Sequence, residues 1–365
     1  MHSAVTEKAR LAHMDLLKCL AIYLVLVFHG TLYNNVITPD MSLPELFPYF
    51  FRTILSTCVP LFFFVNGYLL LSKPLNLKKH TFRVLQLMAI TCFWILFLLL
   101  VNQPFYGEYY TWEDFWQTCW NLRGGWNNQL WYMGALITIY LVFPLLKSAY
   151  DQNRSVFYWF TTVTALLVFG SDCTDLGVTL FDVLVKKEFF LYYNNLPFFH
   201  MFNPFSSYTA LGLAYFCIGG TVRDLEQRLL QIPGRWRCSI AGGGLLISCT
   251  LFGIIGWRFS LYLKEVWDPV WAGYDMAFTL INVLCLYVLA LGFRKDIPFI
   301  RLISSNTLGI YLIHDLVHKA LSPYVIPYAF MRTLPGTLIY AAALLLISLG
   351  LSLVLKKIPL VKHLI

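Results

Sequence analysis

The sequence predicts an all-α integral membrane protein of about ten transmembrane helices, and three observations carry that reading. Of its 365 residues, 58% are hydrophobic and only 13% charged, against about 25% charged in soluble domains. Apolar runs of about 16–24 residues, the length a helix needs to cross a bilayer, alternate with charged or Pro/Gly-rich stretches. Lys and Arg also concentrate in every second connection, as the positive-inside bias requires.

In chain order, the run 14–33 carries Lys18 and is followed by no small-residue cleavage site, so it reads as a retained first span rather than a signal peptide. The runs 48–72 and 82–102 follow, separated by the basic stretch around Lys78 and Lys79. The run 130–146 begins after a long aromatic connection, and 156–170 is the shortest span. Residues 205–222, 238–257, 271–292, 303–323 and 337–355 complete the ten. The aromatic stretch 189–204 reads as an interfacial or re-entrant piece rather than a further span. With the N-terminus inside, alternation places 19 of the 27 Lys and Arg on the inner side and 8 on the outer, with both termini cytoplasmic. No internal repeat or low-complexity tract divides the chain, and residues 1–365 read as a single transmembrane domain.

Composition also narrows function. The net charge of +8 follows from the basic inner connections and gives no reason to expect a nucleic-acid partner. The nine Cys form no CxxC pair or Cys/His cluster, so no metal site is expected. Cys119 and Cys173 are read in polar outer connections, where a disulfide is permitted in an oxidising compartment. The outer segments 103–131 and 189–204 are dense in Trp, Tyr and Asn, which suits either an interfacial aromatic belt or sugar binding. Glu265 and Asp268 lie in an outer loop, either as solvated charge or as acceptor-orienting groups.

The chemistry-bearing residues begin with the first span. Ionisable groups inside a bilayer are expensive, roughly 2.5–3.5 kcal/mol each for Lys or Asp on insertion scales, and call for a partner or a role. Asp15, Lys18, Ile22, Val25 and His29 fall on one helical stripe. Lys18 and His29 are then about 16 Å apart along the axis. That puts a cation at the inner face and a titratable imidazole in the outer half, where a neutral ring can take a proton from a hydroxyl. Asp15 and Lys18 also stand at the spacing of a simple ion pair. In the ninth span, His314 and His318 share a face with Asp315 beside them. A structural hydrogen bond between helices and a site-lining role are both open for His314, and no third ligand suggests a metal.

Several segments, taken in order, resemble the acyltransferase-3 family of membrane acyltransferases. Residues 15–29, DLLKCLAIYLVLVFH, resemble its first helix, with Lys18 where Arg is commoner and His29 after ten intervening residues. Residues 59–71, VPLFFFVNGYLLL, resemble a P-x-F-F-x-x-S-G-[YF]-L segment, with Asn66 where Ser is usual. KKHTFR at 78–83 resembles the basic stretch that follows, with His80 in the first position of its R-x-x-R. LWYMGALITIYLVFPLL at 130–146 and NTLGIYLIH at 306–314 resemble two later spans. The resemblance implies an acyl-CoA-dependent O-acetyltransferase of the bacterial inner membrane. Acetyl-CoA, or another acyl-CoA, would be the donor, and a glycan or lipid-linked glycan hydroxyl on the far side the acceptor. It implies His29 as base with Lys18 below it, and Lys78, Lys79 and Arg83 as a basic mouth for CoA phosphates, unless their charge only sets topology. Asn66, Trp131 and Tyr311 are the candidate oxyanion donors, with His314 lining the site. Two rivals are a polytopic exporter of a glycan precursor or small molecule, and an acyltransferase for a small amine. A transporter would more readily show interrupted half-helices or an inverted repeat, and neither is visible.

Overall fold

The computed structural model describes residues 11–30, 41–107, 109, 111–120, 129–182, 185, 208–264, 266–270, 273–359 and 361–365. The predicted interfacial stretch 189–204 and Glu265 lie outside the described residues, as does much of the aromatic outer segment.

The described chain is all-helical: α1 Ala12–His29, α2 Leu43–Leu55, α3 Cys58–Leu70, α4 Leu77–Tyr106, α5 Trp112–Trp120, α6 Trp131–Gln152, α7 Arg154–Phe181, α8 Tyr208–Gln231, α9 Gly234–Leu263, α10 Ala277–Ala290, α11 Pro298–Ser305, α12 Thr307–Val325 and α13 Leu334–Leu355. Helix occupies part of every predicted run, over the residues that the structure describes. Among the described residues, seven segments are long and apolar enough to cross a membrane, including α2 and α3 taken together over 45–70. Helix α10 is apolar but short. Helices α8 and α12 have the length but are less apolar.

Two predicted spans are broken, for stated reasons. Pro60 lacks the N–H that would bond the Ser56 carbonyl, and its ring crowds that carbonyl, so the second span divides between α2 and α3. The gap is filled by side chains: Ser56 Oγ lies 2.6 Å from Thr279 Oγ1. The ninth span divides at Asn306, whose side chain donates to the Leu302 carbonyl and accepts from Lys356 Nζ at 2.5 Å. Burial at that joint holds the Lys356 amine below the usual lysine range.

The fifth span is longer than its apolar run. Polar residues 171–175 continue α7 because they turn inward or bond their own helix. Ser171 is buried, and Thr174 and Thr179 donate to carbonyls four residues back. Cys173, read from the sequence as part of a connection, is therefore a free thiol inside α7.

Helix α1 is central, touching α2, α3, α10, α11, α12 and α13. Helices α7 and α9 are peripheral: 33% and 22% of their apolar windows are buried, against 72% for 45–70. Their exposed Leu166, Leu246 and Ile247 face outward as lipid-facing residues do. Helices α1 and α13 run antiparallel: Gly30 at the end of α1 packs on Tyr340 and Leu344 in the first half of α13, while Asp15 at the start of α1 and Lys356 at the end of α13 both bond to the joint between α11 and α12, through Ser304 and Asn306. The start of α1 and the end of α13 thus share one face.

Candidate active site

Helices α1, α3, α4, α6, α8 and α12, with α11 at the mouth, enclose a cavity of about 950 Å³. That volume is at the upper end for small-molecule and cofactor sites. The predicted stripe explains why α1 lines it: Asp15, Lys18 and Val25 face the cavity. Ile22 is wholly buried beside them.

The mouth is basic. Lys18, Lys73, Arg83, Arg223 and Arg301 line it, with Asp15 and Asp296 as the acidic groups. Arg83 is exposed at the start of α4 and donates to Gln86 Oε1 at 3.2 Å. Lys78 and Lys79, on the same turn of sequence, are exposed and do not line the cavity. His80 instead turns inward and meets the Tyr140 carbonyl at 2.7 Å, pinning α4 to α6. Arg301 is paired with Asp296 at 3.0 Å. Asp15 accepts a hydrogen bond from Ser304 Oγ, which joins α1 to the short helix α11.

Sequence reasoning missed Lys73, Arg223 and Arg301 as members of this set. Arg223 is held by residues far away in sequence. Its guanidinium lies 4.9 Å from the Tyr68 ring centre and donates to the Tyr68 carbonyl at 3.3 Å. The Tyr68 hydroxyl donates to Glu226, Tyr287 donates to the same carboxylate at 3.4 Å, and His13 Nε2 stands 3.9 Å from it. This half-buried network between α1, α3, α8 and α10 fixes Arg223 toward the cavity.

The far end of the cavity is aromatic. Val25, Val59, Phe62, Tyr132 and Tyr311 close it. Asn66 lines the wall and donates to the Phe62 carbonyl at 2.9 Å and to the Tyr132 hydroxyl at 3.4 Å. Trp131 does not line the cavity: it is buried against Tyr274, 6.0 Å between ring centres, and its neighbour Tyr132 takes the inward position. The Tyr311 hydroxyl donates to the Gln129 carbonyl, which ties the start of α6 to α12.

His29 and His314 stand just past this closed end. Neither is among the cavity-lining residues. Val25, which does line it, is one helical turn below His29, and Tyr311 is one turn below His314. The rings form a continuous series: Tyr132 to Tyr311 at 5.5 Å, Tyr311 to His314 at 5.9 Å, and His314 to His29 at 5.1 Å. His314 is fully buried, whereas His29 is half-buried. His318, one turn further, meets the Tyr340 hydroxyl at 3.0 Å. Asp315 is held by Lys319 at 3.7 Å and Gln129 at 3.5 Å. Asp268 is paired with Arg52, and the N–H of Val270 donates to it. Among the described residues, no group of three His, Cys, Asp or Glu is placed to hold a metal ion.

The arrangement therefore offers a basic mouth, a long polar-to-aromatic passage, and a pair of imidazoles beyond its closed end. Such a constellation suits a donor with a charged head and a slender reactive arm. Neither curated proteins nor solved structures give a match to this chain. A family model described as an acyltransferase domain matches residues 11–357. That span takes in the basic mouth, the passage and both histidines, and the chain belongs to the acyltransferase-3 family of membrane acyltransferases.

Proposed function

We propose that this protein moves an acyl group, acetyl in the first instance, from acyl-CoA on the cytoplasmic side to a hydroxyl of a glycan or lipid-linked glycan on the far side of a bacterial inner membrane. The observation that carries the reading is the continuous cavity that runs from five cationic residues to the Tyr132–Tyr311 end, one turn short of His29 and His314. The cations bind the CoA phosphates. The acyl-pantetheine arm enters the passage. The acceptor reaches His29 from the side away from the cavity.

The steps balance without a metal. His29 takes the acceptor hydroxyl proton, and the oxygen attacks the thioester carbonyl. The carbon–sulfur bond breaks, and the departing thiolate takes the proton back from His29. The tetrahedral oxyanion needs a donor near the closed end. Among the predicted candidates Asn66 and Tyr311 border the cavity and Trp131 does not, and the single O–H of Tyr311 is already given to the Gln129 carbonyl, which leaves Asn66. Tyr132 joins Asn66, because its oxygen accepts from that amide and leaves its own O–H to donate.

The test is reconstitution in liposomes with labelled acetyl-CoA and a panel of glycolipids. Label is expected in a glycolipid ester when the donor meets the face bearing Arg83. Label appearing only on small amines, or only as free acetate, would overturn the acceptor assignment. Two substitutions then separate binding charge from topology charge. Arg83→Ala is expected to weaken acyl-CoA binding about tenfold or more, since a charge-assisted contact contributes ~1.5–3 kcal/mol. Lys79→Ala, an exposed residue off the cavity, is expected to change it little. Equal effects of the two would mean that the basic stretch only orients the chain.

A further inference from the structure

We infer that His314 is a positioning residue for His29: its Nε2 accepts a hydrogen bond from one ring nitrogen of His29 and thereby leaves the other free to take the acceptor proton. This rests on the acyl-transfer reading above, and three observations lead to it.

The first is a fixed tautomer. His314 Nδ1 lies in hydrogen-bond contact with the Tyr311 carbonyl. A carbonyl only accepts, so Nδ1 carries the hydrogen and Nε2 carries a lone pair. The second is an orphan. His314 is fully buried, and its Nε2 makes no hydrogen bond among the described residues. Buried polar atoms are almost always satisfied, and an exception points to a partner that completes the site. The third is proximity. The His29 ring centre is 5.1 Å from that of His314, with the planes inclined at 53°. Ring nitrogens stand about 1 Å outside each centre, and hydrogen bonds run to ~3.2 Å, so a modest rotation of the His29 ring closes the bond. Catalytic hydrogen bonds are often long before substrate binds.

The consequence is a division of labour between two imidazoles. Unaided, His29 presents either nitrogen as donor. Paired with Nε2 of His314, its hydrogen is held on the inward nitrogen, and the outward one has the lone pair. When that lone pair takes the hydroxyl proton, the inward N–H remains bonded to His314, which spreads the new charge. His314 gains and loses no proton. The same logic governs a triad, where a third group holds the base in its working tautomer. The other groups facing this pair are His318 and Asp315 from α12 and Tyr340 from α13. They are occupied with one another or with Lys319 and Gln129, so Nε2 of His314 is the acceptor left for His29.

The experiment compares wild type, His314→Gln and His314→Leu. The Gln side-chain oxygen reaches the place of Nε2 and can accept from His29, whereas Leu cannot. His314→Leu is expected to lower kcat about 10²-fold or more with KM for acyl-CoA unchanged, and His314→Gln to recover at least about tenfold of that loss. In parallel, nitrogen-15 NMR of histidine-labelled protein in lipid is expected to show coupling between His29 and His314 ring nitrogens in the wild type. That readout needs no turnover. If the coupling is present while no glycolipid is acylated, the pairing stands and the proposed reaction fails. Absence of coupling, or equal kcat in the Gln and Leu variants, overturns the positioning role. Should the Leu variant fail to fold, the wild-type spectrum and the Gln variant decide.

Discussion

His29→Asn is expected to lower acyl transfer by about 10²–10⁴-fold, the usual loss when a positioned base is removed. Acyl-CoA affinity should be unchanged, and the structure gives the reason. His29 is not part of the cavity lining, and the cations of the mouth reach it through neither a hydrogen bond nor an ion pair among the described residues. The Asn side chain keeps a polar group at the end of α1 but cannot accept the proton, so shape and chemistry are separated. Measuring labelled-acetyl transfer and acyl-CoA binding on the same preparation tests both halves. An Asn variant that retains most of its activity would make His29 a hydrogen-bonding residue only, and the base would have to be sought elsewhere. A variant that loses donor binding as well would mean that the closed end of the passage opens during turnover and that His29 helps to seat the thioester.

Much of this was legible in the chain because a bilayer leaves few options. Apolar runs of span length must become helix, and among the described residues seven segments are helices long and apolar enough to cross a membrane. The stripe Asp15, Lys18, Val25 faces the cavity because a period of 3.6 fixes it without knowledge of neighbours. His29 and His314 stood out because imidazoles are rare inside apolar runs. What could not be read is whatever depends on helix phase or on contacts between helices. Trp131 and Tyr132 are adjacent, about 100° apart around α6, and that helix is apolar nearly all round, so nothing in the sequence says which ring looks inward. Arg223 is aimed by Tyr68 and Glu226, a contact between α3 and α8 that carries no local signature. Lys78 and Lys79 look equivalent to Arg83 in sequence, yet only Arg83 lies on the cavity side of α4. The break at Ser56 was signalled by Pro60, a residue that the apolar run masked.

Gly67→Ala is expected to be among the most destabilising single changes in the protein, and to damage the donor site with it. Helices α3 and α8 cross with their backbones in contact. A Cβ at Gly67 would stand 1.8 Å from the carbonyl oxygen of Phe216, and one at Gly219 would stand 2.1 Å from that of Phe64. Small residues at a helix crossing allow this approach, and packing at such crossings supplies much of the association between helices in lipid. The obstacle is main chain on both sides, so no rotamer change relieves it and the helices must separate. Overpacking of a core typically costs about 1–3 kcal/mol, occasionally more, and here the whole crossing shifts. Asn66 is the residue beside Gly67, and Arg223 lies one turn beyond Gly219, so separation moves a wall residue and a mouth cation of the cavity together. Thermal unfolding in detergent should show a large fall for Gly67→Ala, and acyl-CoA affinity should fall in the protein that survives. The control is Gly242→Ala or Gly350→Ala, at helical positions where an added Cβ meets nothing within 4 Å. Those should be neutral or gain up to about 1 kcal/mol from the better helix former. If Gly67→Ala behaves like these controls, the close crossing of α3 and α8 is not what sets the geometry of the mouth.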